Sequence, residues 1–449
     1  MNVLWQLLWY IVAVGFLVVV HEFGHFWVAR RLGFKVLRFS VGFGKPLLRR
    51  EVGPDRTEIV LAPIPMGGYV KMLDEREGPV PTEDLARSFT RRPPWQRILV
   101  LFAGPAFNVL FAILVLWGML WASGITEVKS IVGDVTAGSA AARAGLRSGD
   151  EIVAINGHSI TDQRDVLFGL LDSILARGSA DLTLHGTDNR DRHAALEVSD
   201  PEQRRRMTEF PSLLKEIGFQ FDELPAPAVL GQVQAGGAAS RAGLVSGDRI
   251  LAIDGFPMRE FGDLQKYISG VPGKTVVIRY QRGQAEHEAS VAVGSVKSGG
   301  HIQGRIGVSN PMVRHIDLSP LGALSAATSQ AWNLTAMQSR LLWRMVLGQV
   351  SLKNLSGPIS IAQFAGESAD AGFASFLSFL VLISLAIALF NLLPIPILDG
   401  GQIVFQAAEW LKGSPLSERT QAFGQQVGIA VLVLLLGVAL FNDVSRQLG

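Results

Sequence analysis

Residues 7–25 read LLWYIVAVGFLVVVHEFGH, an almost wholly apolar run that leads directly into two histidines and a glutamate. No charged residue precedes His21, so a helix over residues 1–31 is long enough to cross a bilayer. A cleaved signal peptide would carry its positive charge before the apolar core, whereas here the first basic residues, Arg30 and Arg31, follow it. We therefore expect a first membrane span that stays in the mature protein.

The composition agrees with a membrane protein. Of the 449 residues, 48% are hydrophobic and only 18% are charged, which is more apolar than a soluble enzyme of this size. The formal net charge of +2 gives no reason to expect a nucleic-acid partner. Because the chain has no cysteine, any transition metal must be bound by histidine and carboxylate groups.

Uncharged stretches predict three further spans, at residues 98–124, 371–399 and 420–442. The loop at residues 32–97 is rich in lysine and arginine, so the positive-inside rule places it in the cytoplasm. The connection at residues 400–419 then also faces the cytoplasm. Both chain termini and the long region between the second and third spans then face the outer side of the membrane.

The end of the first span carries a zinc-binding pattern. His21 and His25 are four residues apart, so on a helix both imidazoles lie on one face and can bind one zinc ion, with Glu22 as candidate general base. Ionisable side chains are costly inside a bilayer, so three of them within five residues indicate a functional site. The alternative is that the histidines only cap the helix near the cytoplasmic surface.

A catalytic zinc usually takes three protein ligands, and Asp399 is the best candidate for the third. It lies in residues 391–400, NLLPIPILDG, which end the third span near the same inner level as the two histidines. Pro394 and Pro396 prevent regular helix there, which predicts an extended stretch lining a cavity or meeting a partner. The alternative is a helix-stop turn made by the two glycines that follow the aspartate.

The region between the second and third spans contains a tandem repeat. Residues 133–157 align with residues 231–255 without a gap, and 17 of the 25 positions are identical. Each copy predicts a helix end, a Gly-Asp turn, a short strand and an Asn-Gly or Asp-Gly hairpin.

This repeat resembles bacterial PDZ domains, which implies PDZ domains at residues 127–222 and 223–316. Such domains bind an extended chain at a sheet edge, often by its C-terminal carboxylate, so the C-termini of peptides are candidate ligands. Alternatively, the glycines only make turns. Residues 317–370 are amphipathic and predict a periplasmic surface helix in contact with membrane lipid, rather than a fifth span.

Together, the HExxH pattern of the first span, the NLLPIPILDG run of the third and the repeat between them resemble the site-2 proteases over essentially the whole chain. The resemblance implies one Zn²⁺ ion, with Glu22 as the catalytic base. The implied zinc ligands are His21, His25 and Asp399. The residues implied to lie near the substrate chain are Asn391, Pro394 and Pro396.

Two more segments share the resemblance. Residues 58–72, EIVLAPIPMGGYVKM, are similar to the family's membrane-reentrant β-hairpin, and candidate substrate contacts there are Gly67, Gly68 and Tyr69. A soluble hairpin on the inner surface is the alternative. In the second span, Gly104 and Asn108 match a motif that packs beside the active site, although a plain helix kink also accounts for Gly104.

The sequence therefore predicts a polytopic α-helical membrane protein with four transmembrane helices, a membrane-associated β-hairpin or sheet, and two extracytoplasmic α+β PDZ domains. The predicted function is zinc-dependent hydrolysis of peptide bonds within single-pass membrane proteins. The resemblance implies substrates of the anti-sigma factor type, and remnant signal peptides are a second class. The alternatives are a metal transporter, since intramembrane His and Asp also build ion pathways, and a noncatalytic PDZ scaffold with a structural zinc.

Overall fold

The chain folds into two compact units. A computed structural model describes residues 3–207, 213–221, 228–298, 301–310 and 313–448. One unit comprises Met1–Ser123 with Leu318–Gly449, and the other comprises Gly124–Asp317. In the described chain, four helices are long and apolar enough to cross a membrane: Val3–Arg31, Pro94–Ser123, Phe373–Asn391 and Glu418–Gln447.

The helices of the described chain are, in order, α1 Val3–Arg31, α2 Pro94–Ser123, α3 Ala140–Arg143, α4 Gln163–Arg177, α5 Pro201–Met207, α6 Leu213–Ile217, α7 Ala238–Arg241, α8 Phe261–Ser269, α9 Pro320–Val346, α10 Pro358–Asp370, α11 Phe373–Asn391, α12 Asp399–Lys412 and α13 Glu418–Leu448. Short 3-10 helices lie at Glu75–Glu77, Thr82–Arg87, Phe89–Arg91 and Leu352–Asn354.

The strands are β1 Val36–Phe43, β2 Leu48–Val52, β3 Thr57–Leu61, β4 Ile64–Met72, β5 Ile125–Val128, β6 Val132–Val135, β7 Glu151–Ile155, β8 His158–Ser159, β9 Ser179–His185, β10 Asp191–Glu197, β11 Phe219–Phe221, β12 Arg249–Ile253, β13 Phe256–Pro257, β14 Thr275–Arg282, β15 Ala285–Ala292, β16 Gly294–Ser298, β17 His301–Arg305 and β18 Val313–Ile316.

In the first unit, a four-stranded sheet follows α1 and has the order β2-β3-β1-β4. The sheet packs on the inner end of α1, where Ala29, Phe34, Val36 and Val100 form a buried cluster. β4 is an edge strand, and within the part of the chain that the structure describes only β1 pairs with it.

The prediction of a hairpin over residues 58–72 is wrong. The strands β3 and β4 do not pair with each other, because β1 lies between them. β1 pairs with β3 in parallel and with β4 in antiparallel orientation. The short link from β3 to β4 crosses β1 at Gly42, where a Cβ atom would lie 2.7 Å from the Ala62 carbonyl oxygen and 2.9 Å from that of Ile64. Glycine, here at a φ of +88°, makes this crossing possible.

The segment predicted to be a surface helix, residues 317–370, contains α9 and α10, and both pack alongside candidate spans. The buried face of α9 is a row of small residues, Ala323, Ala327 and Ala331. Ala327 and Ala331 of this row pack in one cluster with Ala112 and Leu116 of α2. α10 packs against α1 through Ala365.

The region that joins α11 to α12 also differs from expectation. α11 ends at Asn391, before Pro394 and Pro396. Proline has no backbone N–H to donate to a helical hydrogen bond, so the helix cannot continue regularly through these residues. The stretch that follows forms turns rather than an extended chain, with Leu398 N–H donating to the Ile395 carbonyl at 2.8 Å. Asp399 then begins α12 instead of ending a helix.

The second unit contains two copies of one topology. The sheets β10-β9-β7-β8 and β15-β14-β12-β13 have the same order, and each has its own buried core. Both predicted two-residue hairpins form: Asn156 and Asp254 adopt positive φ angles, and each is followed by a glycine that does the same.

The Gly-Asp turn of each copy holds a buried carboxylate. Asp150 accepts a hydrogen bond from the backbone N–H of Arg147 and pairs with Arg192, while Asp248 accepts from Val245 N–H and pairs with Arg282. The repeat thus preserves a polar contact of the core as well as the turn.

Candidate metal centre

The helix α1 brings His21 and His25 together. They lie one helical turn apart, and each is only 7% exposed. Both rings face α2 and the start of α12.

Asp399 completes a group of three ligand atoms. Its Oδ2 lies 3.1 Å from Nε2 of His21 and 3.4 Å from Nε2 of His25. The two Nε2 atoms are 3.2 Å apart. The structure therefore brings together the three side chains that the sequence had placed on two distant segments.

These distances fit a tetrahedral zinc site. With zinc–nitrogen and zinc–oxygen bonds of about 2.0–2.2 Å, ligand atoms in a tetrahedron lie about 3.3–3.5 Å from each other. The Asp399 Oδ2 atom is buried and receives no hydrogen bond from any described residue. A buried oxygen that faces two imidazole nitrogens without a donor fits a cation bound between the three atoms.

The hydrogen bonds of the rings direct both Nε2 lone pairs to this point. His25 Nδ1 lies 2.7 Å from the Val100 carbonyl oxygen, to which it can only donate, so Nε2 keeps its lone pair. His21 Nδ1 lies 3.3 Å from the amide nitrogen of Asn108, whose Oδ1 is buried and accepts no hydrogen bond among the described residues. Turning this amide over lets Nδ1–H of His21 donate to Oδ1, which leaves its Nε2 free as well.

Two glycines allow α1 and α2 to approach closely enough for this arrangement. At Gly104 a Cβ atom would lie 2.3 Å from Nε2 of His25 and 2.8 Å from Cε1 of His21. At Gly24 it would lie 2.4 Å from the Ala103 carbonyl oxygen. Gly104 therefore leaves space for the imidazoles, and a helix kink alone does not account for it.

The side chain of Glu22 lies between α1, the helix that carries it, and the edge strand β4. A Cβ atom on Gly68 would be 3.0 Å from Cγ of Glu22 and 3.2 Å from Val18, so the absence of a side chain lets the strand lie against the glutamate. The backbone N–H of Val70 interacts with the Glu22 carboxylate from the same strand. The candidate base is thus held between the ligand helix and a sheet edge.

Two of the other predicted site residues, Tyr69 and Gly67, contact Phe43 of the same sheet. Tyr69 stacks on Phe43 and accepts a hydrogen bond from Arg38 at 3.1 Å. A Cβ on Gly67 would meet the ring of Phe43 at 2.2 Å.

The predicted substrate-binding residues of the third span lie at the end of α11 and in the turns that follow it. Asn391 is the last residue of α11, and no hydrogen bond among the described residues joins it to the three ligands. Pro394 is exposed, whereas the carbonyl of Pro396 accepts a hydrogen bond from Gln402 at 2.7 Å.

Sequence reasoning found Asn108, but it missed the Val100 carbonyl and Gly24. Val100 contributes only a backbone carbonyl, which no side-chain pattern can reveal. Gly24 could have been found, because a glycine between two histidines on a helix indicates a close packing partner on that face.

The sequence matches Peptidase family M50 over residues 9–435. The chain belongs to this family. The resemblance to the site-2 proteases and the predicted class of enzyme are thereby confirmed, and the His-His-Asp group agrees with the predicted zinc cofactor.

Several relatives of this M50 peptidase align along its full length. The chain is 39% identical over 463 residues to the regulator of sigma-E protease RseP of Escherichia coli (strain K12), covering 99% of this chain and 100% of the relative. It is 39% identical over 465 residues to the regulator of sigma E protease of Salmonella typhi, with the same coverage. A relative from Neisseria meningitidis serogroup A, named as a candidate zinc metalloprotease, is 37% identical over 456 residues, covering 99% of each chain.

Among solved structures, the PDZ domain of the SdrC-like protein from Listeria monocytogenes is 24% identical and covers 20% of this chain and 90% of that chain. The TM-score of 0.17 is too low to bear on the fold. The four apolar helices and the family membership make this M50 peptidase an inner-membrane protein of mixed α and β structure.

Proposed function

We propose that this M50 peptidase hydrolyses peptide bonds within the transmembrane segments of single-pass membrane proteins. The observation that carries the proposal is the position of the His21, His25 and Asp399 group, whose two histidines lie inside a candidate span. A soluble substrate has no ready access to such a site, whereas a membrane helix does.

The reaction follows from the groups around this centre. Zinc held by this group would polarise the scissile carbonyl and acidify the attacking water. Glu22 takes a proton from that water as the water oxygen bonds to the carbonyl carbon, and it then gives the proton to the leaving amine as the C–N bond breaks. His21, His25 and Asp399 hold the metal, and Asn108 and the Val100 carbonyl orient the two rings.

The edge strand β4 is the proposed acceptor of the substrate chain. A helical substrate shelters its peptide bonds within its own hydrogen bonds, so it must unwind before cleavage, and the freed backbone groups need new partners in the membrane. β4 offers such partners along its outer edge, next to Glu22. Addition of the substrate as a further strand would place its backbone beside the catalytic base at Gly67, Gly68 and Tyr69. Asn391, Pro394 and Pro396 are proposed to contact the chain from the other side.

The proposed physiological substrates are anti-sigma factors already trimmed on the periplasmic side. Two full-length relatives are named as regulators of sigma-E, which supports this class. Remnant signal peptides are a second class that the same site would accept, because they are also short apolar helices.

We propose that the two repeat copies are PDZ domains and that they differ in ligand binding. The second copy has a groove of about 460 Å³ between α8 and residues 303–310. In the first copy, α5 and α6 pack against the equivalent helix α4, and Met207 of α5 is buried in the core. The second copy is therefore the better candidate for binding a peptide C-terminus.

The charge at one equivalent position supports this assignment. Thr136 N–H donates to the Gly218 carbonyl in the first copy, and Gln234 N–H donates to the Gly307 carbonyl in the second, each at 2.8 Å. Two residues before these glycines stand Glu216 and Arg305. An arginine at the groove attracts a terminal carboxylate, whereas a glutamate repels it.

The proposed topology places the repeat copies and both termini in the periplasm and the metal centre toward the cytoplasmic side. The excess of basic residues between the first two spans supports this orientation.

The decisive experiment is the Glu22→Gln variant, purified in detergent and incubated with a reporter that carries one membrane helix. We expect zinc content to stay at the wild-type level and cleavage to fall by about 100-fold or more, because the amide cannot take a proton. The matched control is Glu83→Gln, the same change at an exposed residue, which should cleave normally.

Undiminished cleavage by Glu22→Gln would contradict the assignment of this site. Zinc flux through liposomes that contain the wild type, without any cleavage, would favour the transporter. A wild type that binds zinc but neither cleaves nor transports would favour the scaffold.

A further inference from the structure

The helix α12 that begins with Asp399 buries two polar side chains and exposes two of its largest apolar ones. Gln406 and Glu409 are 6% and 7% exposed, whereas Trp410 and Leu411 are 59% and 91% exposed. With Asp399, the two buried polar residues lie on one helical face, at intervals of seven and three residues. This face packs against α2, the helix that orients the two histidines.

At the far end of this face, Glu409 forms a buried ion pair with Arg97 of α2, with Nη1 and Oε2 3.0 Å apart. Arg97 is itself only 9% exposed. The other oxygen of Glu409 accepts hydrogen bonds from the backbone N–H of Leu416 at 3.1 Å and from Gln421 of α13 at 3.5 Å. One carboxylate thus joins α12 to α2 and to the start of α13.

Arg97 lies on the face of α2 that touches the metal centre. The face continues with Val100, Gly104 and Asn108, at helical intervals of three, four and four residues, and each of these three contacts an imidazole of the centre. The ion pair therefore connects the face that orients the histidines with the face that carries the aspartate.

The near end of α12 has a support of its own. At Gly400 and Gly401 a Cβ atom would lie 2.3 Å and 2.2 Å from the carbonyl oxygens of Leu392 and Ile395. This contact holds one end of the helix. Glu409, which lies ten residues or about 15 Å from Asp399, holds the other end. A helix supported at one end can tilt, whereas support at both ends fixes the carboxylate at its first residue.

We propose that the Arg97–Glu409 ion pair positions the Asp399 carboxylate for metal binding by fixing α12 against α2. Arg97 and Glu409 are positioning residues, since neither touches the ligands. A buried ion pair is costly to form and adds little stability compared with apolar packing. Its role here is therefore to fix the orientation of α12 relative to α2. The proposal rests on Asp399 being a zinc ligand.

The test measures how fast the purified full-length protein, loaded with zinc, gives up the metal to a colorimetric chelator. Removing groups that orient metal ligands typically weakens binding 10- to 100-fold, so we expect Glu409→Gln and Arg97→Met each to speed zinc loss by about tenfold. The double variant should lose zinc no faster than the worse single variant, because both changes break one interaction. Arg97→Lys keeps the charge and should stay within about twofold of the wild type.

The matched control is Asp84→Asn, which breaks the Lys35–Asp84 ion pair of the same unit, a 2.6 Å contact away from α12. It should leave zinc loss unchanged. If Glu409→Gln does not fold, Glu409→Asp, which withdraws the carboxylate by one methylene, takes its place with the same expectation.

Zinc loss at the wild-type rate in both single variants overturns the proposal, and so does an additive effect in the double variant. Asp399→Asn distinguishes this failure from failure of the ligand assignment. If Asp399→Asn loses zinc while the Glu409 variant retains it, only the positioning role is wrong. If Asp399→Asn itself retains zinc, the ligand assignment is wrong.

Discussion

Replacing Gly104 by alanine tests the closest contact in the metal centre. The added methyl group would lie 2.3 Å from Nε2 and 2.7 Å from Cε1 of His25, and 2.8 Å from Cε1 of His21. All of these are ring atoms beside the metal position, and both rings are held from behind by Val100 and Asn108. The rings can relieve the clash only by leaving their ligand geometry.

The size of the effect follows from these distances. Ordinary contacts between non-bonded heavy atoms are about 3.5 Å, so the His25 ring must move by about 1 Å. Zinc–ligand distances tolerate about 0.2 Å, so the displaced ring no longer binds well. We expect zinc affinity to fall by about 10- to 100-fold, or about 1.4 to 2.7 kcal/mol.

The assay is competition for zinc with a chelator of known affinity, together with reporter cleavage at saturating zinc. The matched control is Gly118→Ala in the same helix, where an added Cβ meets no heavy atom within 4 Å. This control should bind zinc and cleave as the wild type does. Wild-type zinc affinity in Gly104→Ala would refute the close packing of α2 on the two imidazoles.

Three further predictions concern the sheet edge and the second unit. Gly68→Ala should reduce cleavage at full zinc content, because its methyl group would lie 2.7 Å from the Ser40 carbonyl oxygen and 3.0 Å from Cγ of Glu22, and so would shift β4 and Glu22 without touching the ligands; loss of zinc in this variant would contradict that separation. Burial raises the pKa of Asp248, but hydrogen bonds from Arg282 and from a backbone N–H lower it by a larger amount. The pKa of Asp248 therefore lies below its ordinary value. Because the folded pKa is the lower one, the stability from this pair is fully present above about pH 4 and is lost as the pH falls through the folded pKa. Asp248→Asn should flatten the acid-induced loss of protease resistance in the second unit, and an unchanged profile would show that the Asp248–Arg282 pair contributes nothing to its stability. Arg305→Glu should weaken binding of a peptide with a free C-terminus but not of its amidated form, as measured by fluorescence anisotropy; equal weakening of both would exclude carboxylate recognition.

The metal centre was predictable because its main signals are local. His21 and His25 are one turn apart in sequence, and the helix that carries them is defined by its apolar composition. Asp399 is distant, but the proline-rich run before it already placed it near the inner end of a span. These three positions needed no knowledge of how the spans pack.

The contacts that support the centre were not predictable for a different reason. Arg97 and Glu409 are 312 residues apart, and each alone looks like an ordinary charge near the end of an apolar segment. The order of the sheet was missed because β1 and β3 pair in parallel and are not joined by a tight turn. The sequence of residues 58–72 by itself suggests only that its two consecutive strands pair with each other. Packing between distant segments, rather than local pattern, decided both features.

Strands β5 and β18 pair with each other, so the first and last strands of the second unit lie side by side, with Ile125 opposite Ile316. Neighbouring strands bring such residues within about 5 Å. The second unit is therefore an insertion with adjacent ends, and a linker of a few residues could replace all of it. Evolution can accordingly add, lose or exchange such modules between the second span and α9 without altering the polypeptide that forms the metal centre.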